Sequence, residues 1–212
     1  MTRTKWNIFA AIGLFALLSG CAAKVEQTGF LSTYANLQPV QGQEETFLRY
    51  IGPPDELSLY STIIVDPVAV RFYDQEGTQN IKPEDLEHIQ QFFYAQLCDN
   101  LQAAGFHLAT DPGTDVARLR VAITNLKAST PALNVLPQTK LTGLGLGQLS
   151  AEFELVDSQT GRQLAAAIKS ETGSRFSLSG LSRWGDVEAV IKDWSKRIAE
   201  RLASVHSEMK GS

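Results

Sequence analysis

Two cysteines, three histidines and a few strand-borne acids are the side chains of this sequence able to act as nucleophiles, bases or metal ligands. His88, His107 and His206 lack the i, i+4 spacing, and the cysteine companion, that would let one element present two ligands to a zinc ion. They read as solvent-facing or hydrogen-bonded histidines, and no metal or cofactor is called for. Cys98 follows a helix stripe position and reads as an inert thiol rather than a nucleophile. Gly143-Leu144-Gly145-Leu146-Gly147 has the look of a nucleotide loop. The element after it is a strand, however, and a pyrophosphate needs the amides of a helix N-terminus. Ser179-Gly180-Leu181-Ser182 lacks the strand-to-helix setting of a hydrolase nucleophile. Glu152 and Glu154 alternate along a strand and read as a solvated sheet face. Asp157 reads as a cap on the amides of the turn it opens. No catalytic residue is assigned; an enzyme or small-ligand site around Asp66, Arg120 and Glu154 is the alternative reading.

Cys21 has a different chemistry. Arg3 and Lys5 precede the uncharged apolar run Ile8 to Leu18, and Leu18-Ser19-Gly20-Cys21 ends it. About 11 apolar residues fall short of the ~20 that span a bilayer, which favours a cleavable export signal over a permanent helix. The ending resembles a lipobox, in which the cysteine thiol is alkylated with diacylglycerol before cleavage. Cys21 is then the lipid-bearing first residue, and two or more acyl chains, palmitate among them, make a stable anchor. Ala22 in place of an aspartate implies, in a host with two membranes, the outer membrane and a domain facing the periplasm. Spending Cys21 on lipid leaves Cys98 without a disulfide partner.

Without Arg3 and Lys5, the chain sets its 19 basic residues less two against 23 acidic ones, a net charge of about −6. That balance excludes nucleic acid as an expected partner and leaves the acyl chains as the membrane contact.

The elements follow from periodicity. Residues 1–20 are the signal, 21–58 a lipid-anchored tether and N-terminal arm, and 59–208 a single domain. The tether rests on the breakers Pro39, Gly42, Gly52, Pro53 and Pro54. As a free coil of ~35 residues it would span roughly 30–35 Å. Gly29-Phe30-Leu31-Ser32-Thr33-Tyr34 is too apolar for pure linker and has the composition of a segment lying on the domain. A β-branched strand at 60–66 is broken by Pro67. A helix opens at Pro83 with the stripe Leu86, Ile89, Phe93, Leu97, Leu101 and ends at Gly105. Strands follow at 106–109, 117–126, 149–157 and 163–169, and a last helix runs over 186–206. The expectation is an α+β fold: a mostly antiparallel sheet of about four to five strands, with two long amphipathic helices packed on one face.

Two apolar, aperiodic segments remain, Lys140 the only charge in the first and none between the arginines of the second. Leu133, Val135, Leu136, Leu141, Leu144 and Leu146 belong to one; Phe176, Leu178, Leu181 and Trp184 belong to the other. They pack onto the core or bind a partner, either another envelope protein or a second copy of this chain.

Gly29-Phe30-Leu31-Ser32 with Tyr34, Ile64-Val65-Asp66-Pro67-Val68, Leu119 to Thr124, Pro131 to Asn134, Glu154 to Ser158 with Thr160-Gly161, Trp184 and Trp194 together resemble an uncharacterised family of bacterial lipoproteins, domain of unknown function 3313. The resemblance implies an envelope lipoprotein and supplies no activity. The leading expectation is a membrane-anchored, non-enzymatic binding or structural module.

Overall fold

The computed structural model describes residues 25–73, 81–130, 132, 145–173 and 182–210, the side chains of the last helix through 206. In chain order the elements are β1 Gln38–Pro39, β2 Phe47–Ile51, α1 Pro54–Leu57, β3 Thr62–Val65 and β4 Ala69–Val70. There follow α2 Pro83–Ala103, β5 His107–Leu108, β6 Val116–Lys127, β7 Gln148–Asp157, β8 Gln163–Thr172 and α3 Gly185–Lys210.

The fold is α+β, as expected, but the sheet is larger and mixed. Eight strands run in the order β1-β2-β8-β7-β6-β3-β5, with β4 also paired to β6. β3 runs parallel to both β5 and β6, and β4 runs parallel to β6. The parallel pairing arises because α2 carries the chain from β3 back to the same end of the sheet before β5 begins, as a crossover must. The short helix α1 was not expected: Pro54, Asp55 and Glu56 suit an opening turn, yet four residues are too few to show a periodic stripe. β1 and β2 lie within the segment read as tether and arm. β2 pairs along its whole length with β8, Phe47 opposite Lys169 through Ile51 opposite Ala165. Residues 38–39 and 47–51 are therefore strands of the sheet rather than free coil.

One face of the sheet carries the long helices. Ile89, Phe93, Leu97 and Leu101 of α2 are fully buried, as are Val187 and Ile191 of α3. Phe153 of β7 makes edge-on ring contacts with Phe93, centroids 6.0 Å apart, and with Trp194, 5.6 Å apart. One strand residue thus joins both helices to the sheet, each buried ring contributing roughly 1.5–3 kcal/mol. The pleat sends the residues on either side of Phe153, Glu152 and Glu154, to the opposite face.

Candidate functional site

Glu152 and Glu154 lie in the middle of the sheet, and both are completely buried. The solvated face expected for them is instead covered by residues 25–37. Leu31 packs there on Ala166 and Ile168, with Val25, Phe30, Tyr34, Leu37, Leu48 and Tyr50 around it. A buried carboxylate is tolerated only when donors satisfy its oxygens, and the arm provides them. Thr28 donates its amide (2.7 Å) and its hydroxyl (3.0 Å) to Oε1 of Glu152. The Tyr34 phenol donates to Oε2 at 2.6 Å. On Glu154, Oε1 accepts the Ser32 amide (2.7 Å), the Ser32 hydroxyl and the Gln163 side chain (2.7 Å). Oε2 accepts from the Arg120 guanidinium at 2.6 Å.

The local sequence explains the fit. Gly29 has φ near +80°, a conformation that glycine adopts without strain, and this turns the chain between Thr28 and Ser32. The Tyr34 hydroxyl also accepts from the amides of Gly29 and Leu31. The Arg120 guanidinium lies 4.9 Å from the Phe30 ring centroid, pairing with Glu154 and the arm at once. Burial, and then the adjoining Glu152 carboxylate, push the Tyr34 phenol above its ordinary pKa. Tyr34 therefore stays a donor.

The alternative site dissolves into separate pairs. Asp66 binds Arg118 at 2.6 Å, while Arg120 is committed to Glu154. Asp157 does cap its turn: Oδ1 accepts the Thr160 hydroxyl and amide, both at 2.7 Å, and the Gln159 amide at 3.2 Å. Its other oxygen accepts from the Tyr60 phenol at 2.8 Å. These bonds, the Thr160 hydroxyl foremost, hold its pKa down to about 2. Cys98 is half-buried, and burial pushes its thiol pKa up, away from nucleophile character. His88 contacts Glu188 at 3.1 Å, and His206 donates to the Tyr60 carbonyl at 2.6 Å. Among the described residues, no three His, Cys, Asp or Glu side chains group to hold a metal. Among them, too, no helix is long and apolar enough to cross a membrane.

Cys21 and eight of the ten candidate partner-binding residues, Leu133, Val135, Leu136, Leu141, Leu144, Phe176, Leu178 and Leu181, lie outside the described residues. The other two, Leu146 and Trp184, are buried. Near them Asp186, at the start of α3, accepts from the Ser129 hydroxyl (2.8 Å) and the Gly147 amide (3.0 Å). It is fully buried and pins the helix to the ends of β6 and β7, a role that sequence reasoning missed.

The fold is similar to that of a variant PelC dodecamer from Paraburkholderia phytofirmans, at 17% identity and TM-score 0.49, over 74% of this chain and 96% of that one. It is also similar to a minor lipoprotein from Acinetobacter baumannii, at 17% identity and TM-score 0.35, over 68% and 92%. A third likeness is to a lipoprotein from Neisseria meningitidis, at 16% identity and TM-score 0.33, over 66% and 96%. No curated protein matches the sequence. The model of a family described as a protein of unknown function, DUF3313, matches residues 26–198, from within the docked arm into α3. The chain belongs to this family.

Proposed function

We propose that the chain is an envelope lipoprotein, anchored through acyl chains on Cys21, whose domain serves as a non-enzymatic binding or structural module at the membrane surface. The observation that carries this reading is the docked arm. The sheet's two central carboxylates, its best placed acid–base candidates, are spent on holding residues 28–34. From Val25 onward the chain is tied to the domain, the Val25 amide donating to the Glu45 carbonyl at 3.1 Å. Only residues 22–24 separate Cys21 from that tie. Four extended residue steps span about 14 Å, less than half the reach of a free tether. A lipid on Cys21 would therefore hold the domain against the bilayer rather than away from it.

In a host with two membranes the reading puts the anchor in the outer membrane, with the domain in the periplasm. Partner contact, with another envelope protein or a second copy, is assigned to 129–147 and 174–184. Photocrosslinkers at Leu133 and Leu144 would capture one defined species there; labelling no different from background would refute that assignment. The anchor is tested by intact mass of the protein purified from envelopes. Diacylglycerol on Cys21, abolished in Cys21→Ala, is the expected result, and an unmodified cysteine would refute it.

A further inference from the structure

The helix layer is narrower than the sheet. Between the C-terminal half of α3 and the β8–β2 margin lies a cleft of about 510 Å³, within the ~300–1,000 Å³ typical of ligand sites. Trp194, Ile198, Leu202 and Val205 form one wall. Ala165, Ala167 and Ile51 form the floor, where two alanines leave the space that larger side chains fill elsewhere in the core. Phe47 to Ile51 is four strand steps, about 14 Å. Trp194 to Val205 is eleven helix steps, about 16 Å. One leaflet's share of a ~30 Å hydrocarbon core, about 15 Å, is the depth one acyl tail occupies.

Polar groups mark the Phe47 end of this cleft. At its Phe47 end the Lys169 ammonium lies 5.5 Å from the Phe47 ring centroid and 5.2 Å from that of Trp194. Lys169 and Arg197 also line an adjoining polar recess with Thr46 and Ser170. Their carboxylate partners are there too, Glu171 at 2.8 Å from Lys169 and Asp193 at 2.7 Å from Arg197. Arg49 and Arg201 also line the cleft, and neither has a carboxylate within 4.0 Å among the described residues. The anchor emerges at the same end: Val25 is tied to Glu45, two residues before Phe47.

We propose that this cleft takes up one acyl tail of a membrane phospholipid, whose phosphate sits at the Lys169 and Arg197 end. The proposal rests on the anchored reading above, which brings that end to the lipid headgroups. An apolar trough one tail long matches an acyl chain, and the lipid's phosphate would compete with Glu171 and Asp193 for Lys169 and Arg197 at the mouth nearest the membrane.

The test uses the full lipidated protein, purified from envelopes and reconstituted in phosphatidylethanolamine–phosphatidylglycerol vesicles. A trace of phosphatidylglycerol carries a diazirine in its tail. Irradiation should place adducts on peptides from β8 and from the 194–205 part of α3. Yield should fall about tenfold in Ala167→Trp, which fills the floor, and in the double variant Lys169→Gln, Arg197→Gln. The same tail on a diacylglycerol without phosphate should label about tenfold less. Adducts spread evenly over the surface, or unchanged in the double variant, would overturn the proposal. Circular dichroism checks both variants; if the tryptophan variant does not fold, the double variant decides. Intact mass of the same sample reads Cys21 separately. A lipidated protein without cleft adducts defeats the cleft alone, and cleft adducts on a protein bare at Cys21 defeat the anchor reading alone.

Discussion

The Tyr34 phenol donates to the buried Glu152 carboxylate at 2.6 Å across 118 residues of sequence. This bond makes the arm a part of the fold, because Glu152 would otherwise be an unsatisfied charge in the middle of a covered sheet. Removing either partner should expose the coupling. Tyr34→Phe is expected to cost about 1–2 kcal/mol and Glu152→Ala about 2–4 kcal/mol, since the alanine strands three donors. In chemical denaturation the double variant should fall short of the sum by about 1 kcal/mol or more. Additive losses would mean that the contact contributes nothing.

Acid should weaken the β7–β8 turn. Asp157 titrates at about 2 in the folded chain against an ordinary value of 3.8. A carboxylate with a lowered folded pKa adds stability that is complete above about pH 4 and is lost as pH falls toward 2. The shift corresponds to about 2 kcal/mol. Asp157→Asn should therefore be less stable than the parent at pH 6, with the gap closing by pH 2. A gap of constant size would show that the turn does not depend on the charge.

Gly173 leaves no room for a side chain. A Cβ there would lie 2.4 Å from Cγ of Asp186, which is buried and bonded to Ser129 and Gly147. Gly173→Ala should cost about 2–3 kcal/mol by overpacking, and Asp186→Ala a similar amount by stranding the Gly147 amide. Thermal unfolding of both variants measures this; melting at the parental temperature would rule out the pin.

On the proposed reading, Cys21 carries the lipid and the residue after it directs sorting. In a host with two membranes, Ala22→Asp should then move the protein from the outer- to the inner-membrane fraction on density-gradient separation of envelopes. Unchanged fractionation would remove the sorting argument and leave the anchor itself standing.

The two long helices are legible in the sequence because each keeps one wet side. The stripe Ile89, Phe93, Leu97, Leu101 gave α2 its length and buried face, and Val187, Ile191, Trp194 did so for α3. β2 escaped because neither of its faces is simply polar. Phe47 and Ile51 point to the helices, Leu48 and Tyr50 to the arm, and Arg49 interrupts the apolar run. Glu152 and Glu154 misled for a related reason. Alternating acids resemble a solvated face when the cover comes from residues more than 100 positions away. The clue was on the arm, where the apolar Gly29–Tyr34 stretch also carries Ser32 and Tyr34, donors matched to those acids. The parallel pairing of β3 with β5 and β6 has no local signature, since two- and four-residue strands show no period.

The docked arm makes the height of the domain above the membrane the most direct measure of the account. With Cys98→Ser removing the other thiol, Glu44→Cys places a nitroxide label beside Glu45, where Val25 is tied. In lipidated protein reconstituted into nanodiscs, power-saturation measurements compare collision with oxygen from the bilayer against collision with a water-soluble relaxant. The account predicts a label within about 15 Å of the headgroups, moving outward when Glu152→Ala and Tyr34→Phe release the arm. A label that senses only the aqueous relaxant, and is unmoved by those substitutions, would contradict it.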